Sequence, residues 1–159
     1  MHRIKEVRRL TTKEVKEYLY RIDKIDALIR NKHIEKAQHY ALMLDIATNT
    51  TTNLSADRVQ SSGSKQRMAD TVDDKLTYIK NIEKRIAELE AEKEQIIATI
   101  ELLPKDEYDV LFKCYVQHMQ LKQVAPARKE SYSTTATTHG IALKRLGCIL
   151  QKRKATFCN

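Results

Sequence analysis

Glycine and proline are so scarce in this chain that they constrain its fold more than any other feature. Only three glycines and two prolines occur among 159 residues. A β-sandwich or barrel needs turn residues about every 8–12 positions, so both folds are excluded. The glycines are also too scattered to form a phosphate-binding loop, which argues against a nucleotide-binding fold. The sequence therefore predicts an all-α protein.

Two long segments repeat apolar residues with the seven-residue period of a coiled coil. The first runs from Thr12 to about Ile46, and the second runs from Val72 to Leu103 with eight of its ten seam positions apolar. So narrow a stripe predicts that each helix pairs either with the other, as a long antiparallel hairpin over residues 1–103, or with another chain. The residues predicted to form an oligomer seam are Ile79, Ile82, Ile86, Leu89, Ile96 and Ile100.

A polar stretch separates the two long segments. Threonine, serine, asparagine and Gly63 interrupt the apolar period, which predicts a loop over residues 48–67 that acts as a hinge or as a binding loop. Thr11 or Thr12 is predicted to cap the first helix, with Glu14 in its first turn.

The C-terminal third has a different pattern. Pro104 ends the second long segment, because proline cannot lie inside a helix without breaking it. Two short amphipathic segments follow, and then a break at residues 131–133 leads into a third from Thr134 to Leu150. This order predicts a helix-turn-helix over residues 104–150, followed by a basic tail at 151–159.

Charge is distributed unevenly along the chain. Residues 1–69 carry a net charge of +6, residues 70–103 carry −4, and residues 104–159 carry +6 from ten basic and four acidic side chains. A basic C-terminal segment is typical of proteins that bind the phosphate backbone of DNA, although a merely soluble basic surface has the same composition.

The C-terminal pattern resembles a known family. The runs LLPKDEYDVLFKCYVQHMQLKQVA and SYSTTATTHGIALKRL are similar to region four of bacterial primary sigma factors, and more closely to the phage-encoded sigma-region-four-like transcriptional regulators of the ArpU/RinA-like group. The central RVQSSGSKQRMAD also resembles a recurrent element of that group, so the likeness covers residues 12–150. It implies a DNA-binding regulator of phage or prophage gene expression, often of late genes.

The resemblance also implies which residues touch DNA. The recognition helix would begin near Ser133, and the side chains facing base edges would be Tyr132, Ser133, Thr134 and Thr137. Phosphate contacts would come from Lys122, Lys129, Lys144, Arg145, Lys152, Arg153 and Lys154. Double-stranded DNA is the expected partner, host RNA polymerase a further one, and the coiled coil is expected to form a homo-oligomer.

Several positions depart from the family pattern. Polar residues stand where the family has apolar core residues, and Pro126 falls inside the first helix of the motif; the polar positions are Arg128, Glu130, Thr135 and Thr138. Either the chain bends at Pro126 while Arg128 extends to the surface, or the motif has lost its specific reading of DNA.

No catalytic, metal or cofactor site is predicted. The histidines and cysteines lack the spacing of metal ligands, and no serine lies in a nucleophile elbow. Neither a signal peptide nor a membrane span is predicted, so we expect a cytoplasmic, non-enzymatic protein of a bacterial host cell. Two alternatives remain: a coiled-coil adaptor or structural protein that does not bind DNA, and a DNA-packaging component similar to a small terminase subunit.

Overall fold

The computed structural model describes residues 10–52 and 62–156, and within these ranges every regular element is helical. The all-α prediction is therefore confirmed for the described part of the chain. The α-helices are α1 (Thr12–Thr52), α2 (Ser62–Ile100), α3 (Lys105–Leu111), α4 (Leu121–Ala127) and α5 (Tyr132–Thr156). A π-helical turn, Phe112–Val116, directly follows α3.

A reciprocal capping box fixes the start of α1. The Thr11 backbone N–H donates to Glu14 Oε2 at 2.7 Å, and the Glu14 backbone N–H donates to Thr11 Oγ1 at 3.3 Å. Two backbone donors that have no partner inside the helix are thus satisfied. Of the two predicted capping residues, Thr11 is the one that caps α1.

Both long helices extend into the predicted loop. Helix α1 continues to Thr52 and α2 begins at Ser62, so the prediction of a loop over 48–67 is wrong at both ends, while residues 53–61 lie outside the described part. The Thr48 hydroxyl shows why helix persists here, because it bonds to the carbonyls of Leu44 and Asp45 at 3.0 and 3.1 Å. A threonine satisfied by its own preceding turn does not need to leave the helix.

The chain divides into two compact units, and the division differs from the boundary predicted at residue 104. One unit joins the residues up to Asp26 to those from Ala91 onward, and the other spans Ala27–Glu90. The short C-terminal helices therefore share one unit with the first part of α1 and the last part of α2.

In the first of these units, α1 and α2 run in opposite directions. Tyr18 Oη of α1 lies 3.4 Å from Thr99 Oγ1 of α2, and Asp26 Oδ1 of α1 lies 2.7 Å from Lys93 Nζ of α2. Residues later in α1 therefore contact residues earlier in α2. Apolar residues of α1, α2 and the short helices form the core. The largest fully buried ones are Val15, Leu19, Ile22, Ile96, Ile100, Val110, Leu111, Val124 and Leu146.

Gly147 permits a close approach of α5 to the start of α1. A Cβ atom at this position would lie 3.2 Å from Val15 Cγ2 and 3.6 Å from the Leu10 carbonyl oxygen. Glycine inside a helix costs roughly 1 kcal/mol relative to alanine. Here its missing side chain is what lets the two helices pack.

In the Ala27–Glu90 unit the same antiparallel order recurs. Lys36 Nζ lies 2.6 Å from Glu83 Oε1, and the rings of His39 and Tyr78 have centroids 4.4 Å apart. Lys36, which stands at a heptad position where the period would place an apolar residue, thus forms an ion pair with α2.

All six predicted seam residues are buried within the single chain. Their exposed fractions range from 0% at Ile100 to 7% at Ile86. Ile79, Ile82, Ile86 and Leu89 belong to the Ala27–Glu90 unit, and Ile96 and Ile100 belong to the other. Their burial therefore requires no second copy of the protein.

Candidate nucleic-acid interface

The start of α5 is exposed and firmly capped. Ser131 Oγ accepts the backbone N–H of Thr134 at 3.1 Å, so Ser131, the first residue of the predicted break at 131–133, caps the helix. The four predicted base-facing residues are all exposed, and Tyr132 is 55% exposed. The structure thus brings Tyr132, Ser133, Thr134 and Thr137 together on the first two turns of one helix.

The four side chains differ in whether their hydroxyl groups already form a hydrogen bond within the chain. Thr137 Oγ1 donates to the Ser133 carbonyl at 2.9 Å, and Thr134 Oγ1 lies 2.8 Å from Ser131 Oγ. Within the described residues, the hydroxyls of Tyr132 and Ser133 have no hydrogen-bond partner. These two hydroxyls are therefore free to bond to a group outside the chain.

Three of the predicted phosphate contacts are exposed cations, of which two lie close to this helix start and the third lies farther along α5. Lys122 and Tyr132 border the same shallow depression of about 410 Å³, beside Pro126. Lys129 lies in the turn before α5, and Lys144 lies three turns into it. Within residues 10–52 and 62–156, Lys122, Lys129 and Lys144 form no ion pair, so their charges are available to an anion.

Lys129 also shapes the turn. Its φ is +56°, in the left-handed region, and the Glu130 and Lys129 N–H groups donate to the carbonyls of Ala125 and Pro126, each at 3.0 Å. This paired pattern is a Schellman motif, which ends α4 and turns the chain toward α5. The position usually holds glycine, so the exposed lysine is present at a conformational cost.

The other predicted phosphate residues are less available. Arg145 Nη1 bonds to Oε1 of the buried Glu107 on α3, although about half of the Arg145 side chain stays exposed. Arg153 Nη1 donates to Thr99 Oγ1 at 3.0 Å. Lys152 is exposed, and α5 continues through the predicted tail to Thr156, while the Lys154 side chain lies outside the described residues.

The prediction that Arg128 extends to the surface is wrong. Its side chain is only 8% exposed and bonds to Asp109 Oδ2 at 2.5 Å and to Glu130 Oε1 at 2.9 Å. Hydrogen bonds from Arg128 lower the pKa of Glu130 below its ordinary value. Burial would raise the pKa of Asp109, but hydrogen bonds from Lys113 and Arg128 outweigh it and lower that pKa as well. The guanidinium stays buried because carboxylates compensate its charge, Asp109 and Glu130 at short distance and the exposed Asp106 at 3.5 Å.

The remaining departures from the family pattern are also accommodated. Thr135 is fully buried and donates to Glu130 Oε2 at 3.4 Å, and Thr138 donates to the Thr134 carbonyl at 3.1 Å. Pro126 is the sixth residue of the seven-residue α4, is exposed, and lies one residue before the helix ends. Polar groups at these core positions are therefore satisfied rather than left without partners.

The acidic side chains of the C-terminal segment are all used in ion pairs within the chain. Its four acidic residues, Asp106, Glu107, Asp109 and Glu130, all pair with Arg128, Arg145 or Lys113. Because these acids are already compensated, the surface around the start of α5 carries an excess of positive charge.

Sequence reasoning missed one exposed residue on this face. Ile141 is 47% exposed and lies four residues after Thr137, so it continues the same side of α5. The signal was available, because Ile141 falls outside the apolar stripe formed by Ala142 and Leu146. In proteins that read DNA with a helix, an exposed apolar side chain of this kind can contact the methyl group of thymine.

Another cavity, of about 400 Å³, is lined in part by Cys114, Tyr115 and His139. Tyr115 Oη lies 3.2 Å from His139 Nε2, and burial raises the pKa of Cys114 to about 11 and lowers the pKa of His139. The thiol is thus protonated at neutral pH and is a poor nucleophile. In the described part of the chain, no three His, Cys, Asp or Glu side chains are grouped so that they could hold a metal ion.

No protein family, curated protein or solved structure matches the chain. Among residues 10–52 and 62–156, no helix has an apolar stretch long enough to cross a lipid bilayer.

Proposed function

We propose that the protein is a DNA-binding transcriptional regulator that reads DNA with the start of α5. In this proposal α3, α4 and α5 form a helix-turn-helix, with the four-residue turn 128–131 leading into the recognition helix. The two long helices form an antiparallel hairpin that serves as its arm. The resemblance to sigma-region-four-like phage regulators supports phage genes as the target and RNA polymerase as a partner of the arm.

One observation carries the proposal. Four exposed hydroxyl residues occupy the first two turns of α5. Three exposed lysines that form no ion pair in the described residues lie on α4, in the turn before α5 and three turns into α5. Helix-turn-helix proteins insert this part of the recognition helix into the major groove. Lysines beside it hold the phosphates, while short polar side chains meet the base edges.

The two groups of residues have separable roles. Lys122 and Lys144 would neutralise phosphates, so they set affinity without regard to sequence. Tyr132 and Ser133 would contact bases, so they set which sequence is preferred.

A salt series of DNA binding tests the phosphate contacts. We expect Lys122→Ala with Lys144→Ala to weaken binding to all duplexes and to reduce the slope of log K against log salt by about 2, roughly 0.9 for each lost contact. Lys84→Ala provides a matched control, because Lys84 is an exposed lysine of α2 that should leave the slope unchanged. If both changes leave the slope at its original value, this surface is not the interface.

A competition assay tests the base contacts. Duplex fragments from the genomic neighbourhood of the gene serve as probe, and unrelated DNA serves as competitor. We expect Tyr132→Ala or Ser133→Ala to reduce the preference for the best fragment roughly tenfold, equivalent to about 1.4 kcal/mol, while affinity for unrelated DNA changes little. Equal losses on all fragments would contradict a base-reading role.

A further inference from the structure

A second apolar stripe lies on the side of α1 that faces away from α2. Ile34 and Leu44 are 57% and 67% exposed, and Ala37 and Ala41 between them are also exposed. These residues are spaced by three, four and three positions, the spacing of a coiled-coil stripe. Lys36, which pairs with α2, follows Ile34 by two residues and so lies about 200° around the helix.

The stripe is symmetric in the size of its side chains. A large residue stands at each end and two alanines lie between, so the order reads the same in both directions. A second copy in the antiparallel direction would place Ile34 against Leu44 and Ala37 against Ala41, twice over. A self-complementary patch is what a two-fold symmetric interface requires. The alanines would let the two helix backbones approach closely.

Charges beside the stripe favour the same antiparallel arrangement. Arg30 and His33 lie near one end, Asp45 lies near the other, and all three are exposed. In the described part of the chain, their side chains form no ion pair. Antiparallel pairing brings Asp45 of one copy opposite His33 and within reach of Arg30 of the other. A parallel pairing would place Asp45 beside Asp45, and like charges repel.

From this geometry we propose that the outer face of α1 binds a second copy of the same chain in the antiparallel direction. The interface uses Ile34, Ala37, Ala41 and Leu44, and therefore differs from the predicted seam, which is buried within one chain. Ten residues separate Ile34 from Leu44, so the stripe is about 15 Å long. A contact of this size is below the standard range for stable complexes, and the dimer is accordingly weak and reversible. The proposal does not depend on DNA binding.

Sedimentation velocity of the full chain, from low to several hundred micromolar, tests the interface. We expect the average mass to rise with concentration toward that of a dimer. Leu44→Glu should raise the dissociation constant at least about 100-fold, because symmetry places the charge in the contact twice.

Leu102→Glu provides the matched control. Leu102 is 55% exposed, but it lies beyond the end of α2 and is not part of the stripe on α1. This variant should dimerise like the original chain, and circular dichroism should show unchanged helix in both variants. A chain that is monomeric throughout, or one that both variants affect equally, would overturn the proposal.

A charge exchange tests the direction of pairing. Asp45→Arg should raise the dissociation constant several-fold, since it places like charges together at both ends of the contact. Adding Arg30→Glu to the same chain should restore most of the affinity. Failure of this second change to restore dimerisation would show that the two helices do not pair in the antiparallel direction.

Discussion

Replacing Arg128 by methionine tests whether the buried ion cluster holds the C-terminal helices together. Methionine keeps much of the apolar volume but removes the charge and every hydrogen bond. Removing one partner of a fully buried pair costs about 3–5 kcal/mol, whereas an exposed pair contributes at most about 1 kcal/mol. Asp109 and Glu130 are 32% and 30% exposed, so water would partly solvate them again. We therefore expect the free energy of unfolding to fall by about 2 kcal/mol.

Urea unfolding followed by circular dichroism measures this change. With a slope of about 1–3 kcal/mol per molar urea, the midpoint should fall by roughly 1 M at neutral pH. Arg85→Met is the matched control, because Arg85 is about half exposed and pairs with Glu88 on the surface of α2. This control should change the unfolding free energy by less than about 0.5 kcal/mol.

The pH dependence gives the stricter test. The pKa values of Asp109 and Glu130 are lower in the folded protein than their ordinary values of 3.8 and 4.5. Their contribution to stability is therefore complete above about pH 5 and is lost as the pH falls through the folded pKa values. The difference between the original chain and Arg128→Met should shrink accordingly below about pH 4. A difference that is as large in acid as at neutral pH would refute the ion-cluster explanation.

Three further predictions follow from other contacts. Lys129→Gly should raise the unfolding free energy by about 0.5–1 kcal/mol in urea titrations, since it relaxes the left-handed backbone, and should nevertheless weaken DNA binding; a loss of stability would contradict the turn geometry. His139→Gln should remove a loss of stability that sets in as the pH falls below about 6.5, because burial lowers the pKa of His139 and the unfolded chain therefore gains its proton first; parallel pH profiles would count against it. Gly147→Val should lower the thermal midpoint, at a cost of about 1–3 kcal/mol from overpacking against Val15, and an unchanged midpoint would show that α5 can move away.

Periodicity predicted the helices better than it predicted where they end. The spacing of Val15 and Ile22 on one segment and of Ile79 and Ile86 on the other corresponds to buried faces. The end of α1 was missed because Thr48 bonds to its own preceding turn, and sequence composition cannot distinguish this from a threonine that breaks a helix.

Polar residues at core positions were the other obstacle. The position of Arg128 in the sequence indicates a departure from an apolar pattern, but not that Asp109, 19 residues earlier, compensates its charge. Such a pairing depends on tertiary contact, which local patterns do not contain. The exposed hydroxyl residues at the start of α5, in contrast, follow from a local signal, because a serine before a helix is a strong capping residue.

Thr99 of α2 contacts both α1 and α5, and this contact constrains the whole length of α5. Its hydroxyl donates to the Gln95 carbonyl at 2.9 Å, accepts from Arg153 at 3.0 Å and lies 3.4 Å from the Tyr18 hydroxyl. Arg153 is 21 residues beyond Tyr132 on one continuous helix, a distance of about 32 Å. A rotation of α5 about its own axis would break the bond at Thr99 and turn Tyr132 through the same angle. The bond between Arg153 and Thr99, nearly six turns away, thus helps to fix the direction in which the exposed hydroxyl residues face.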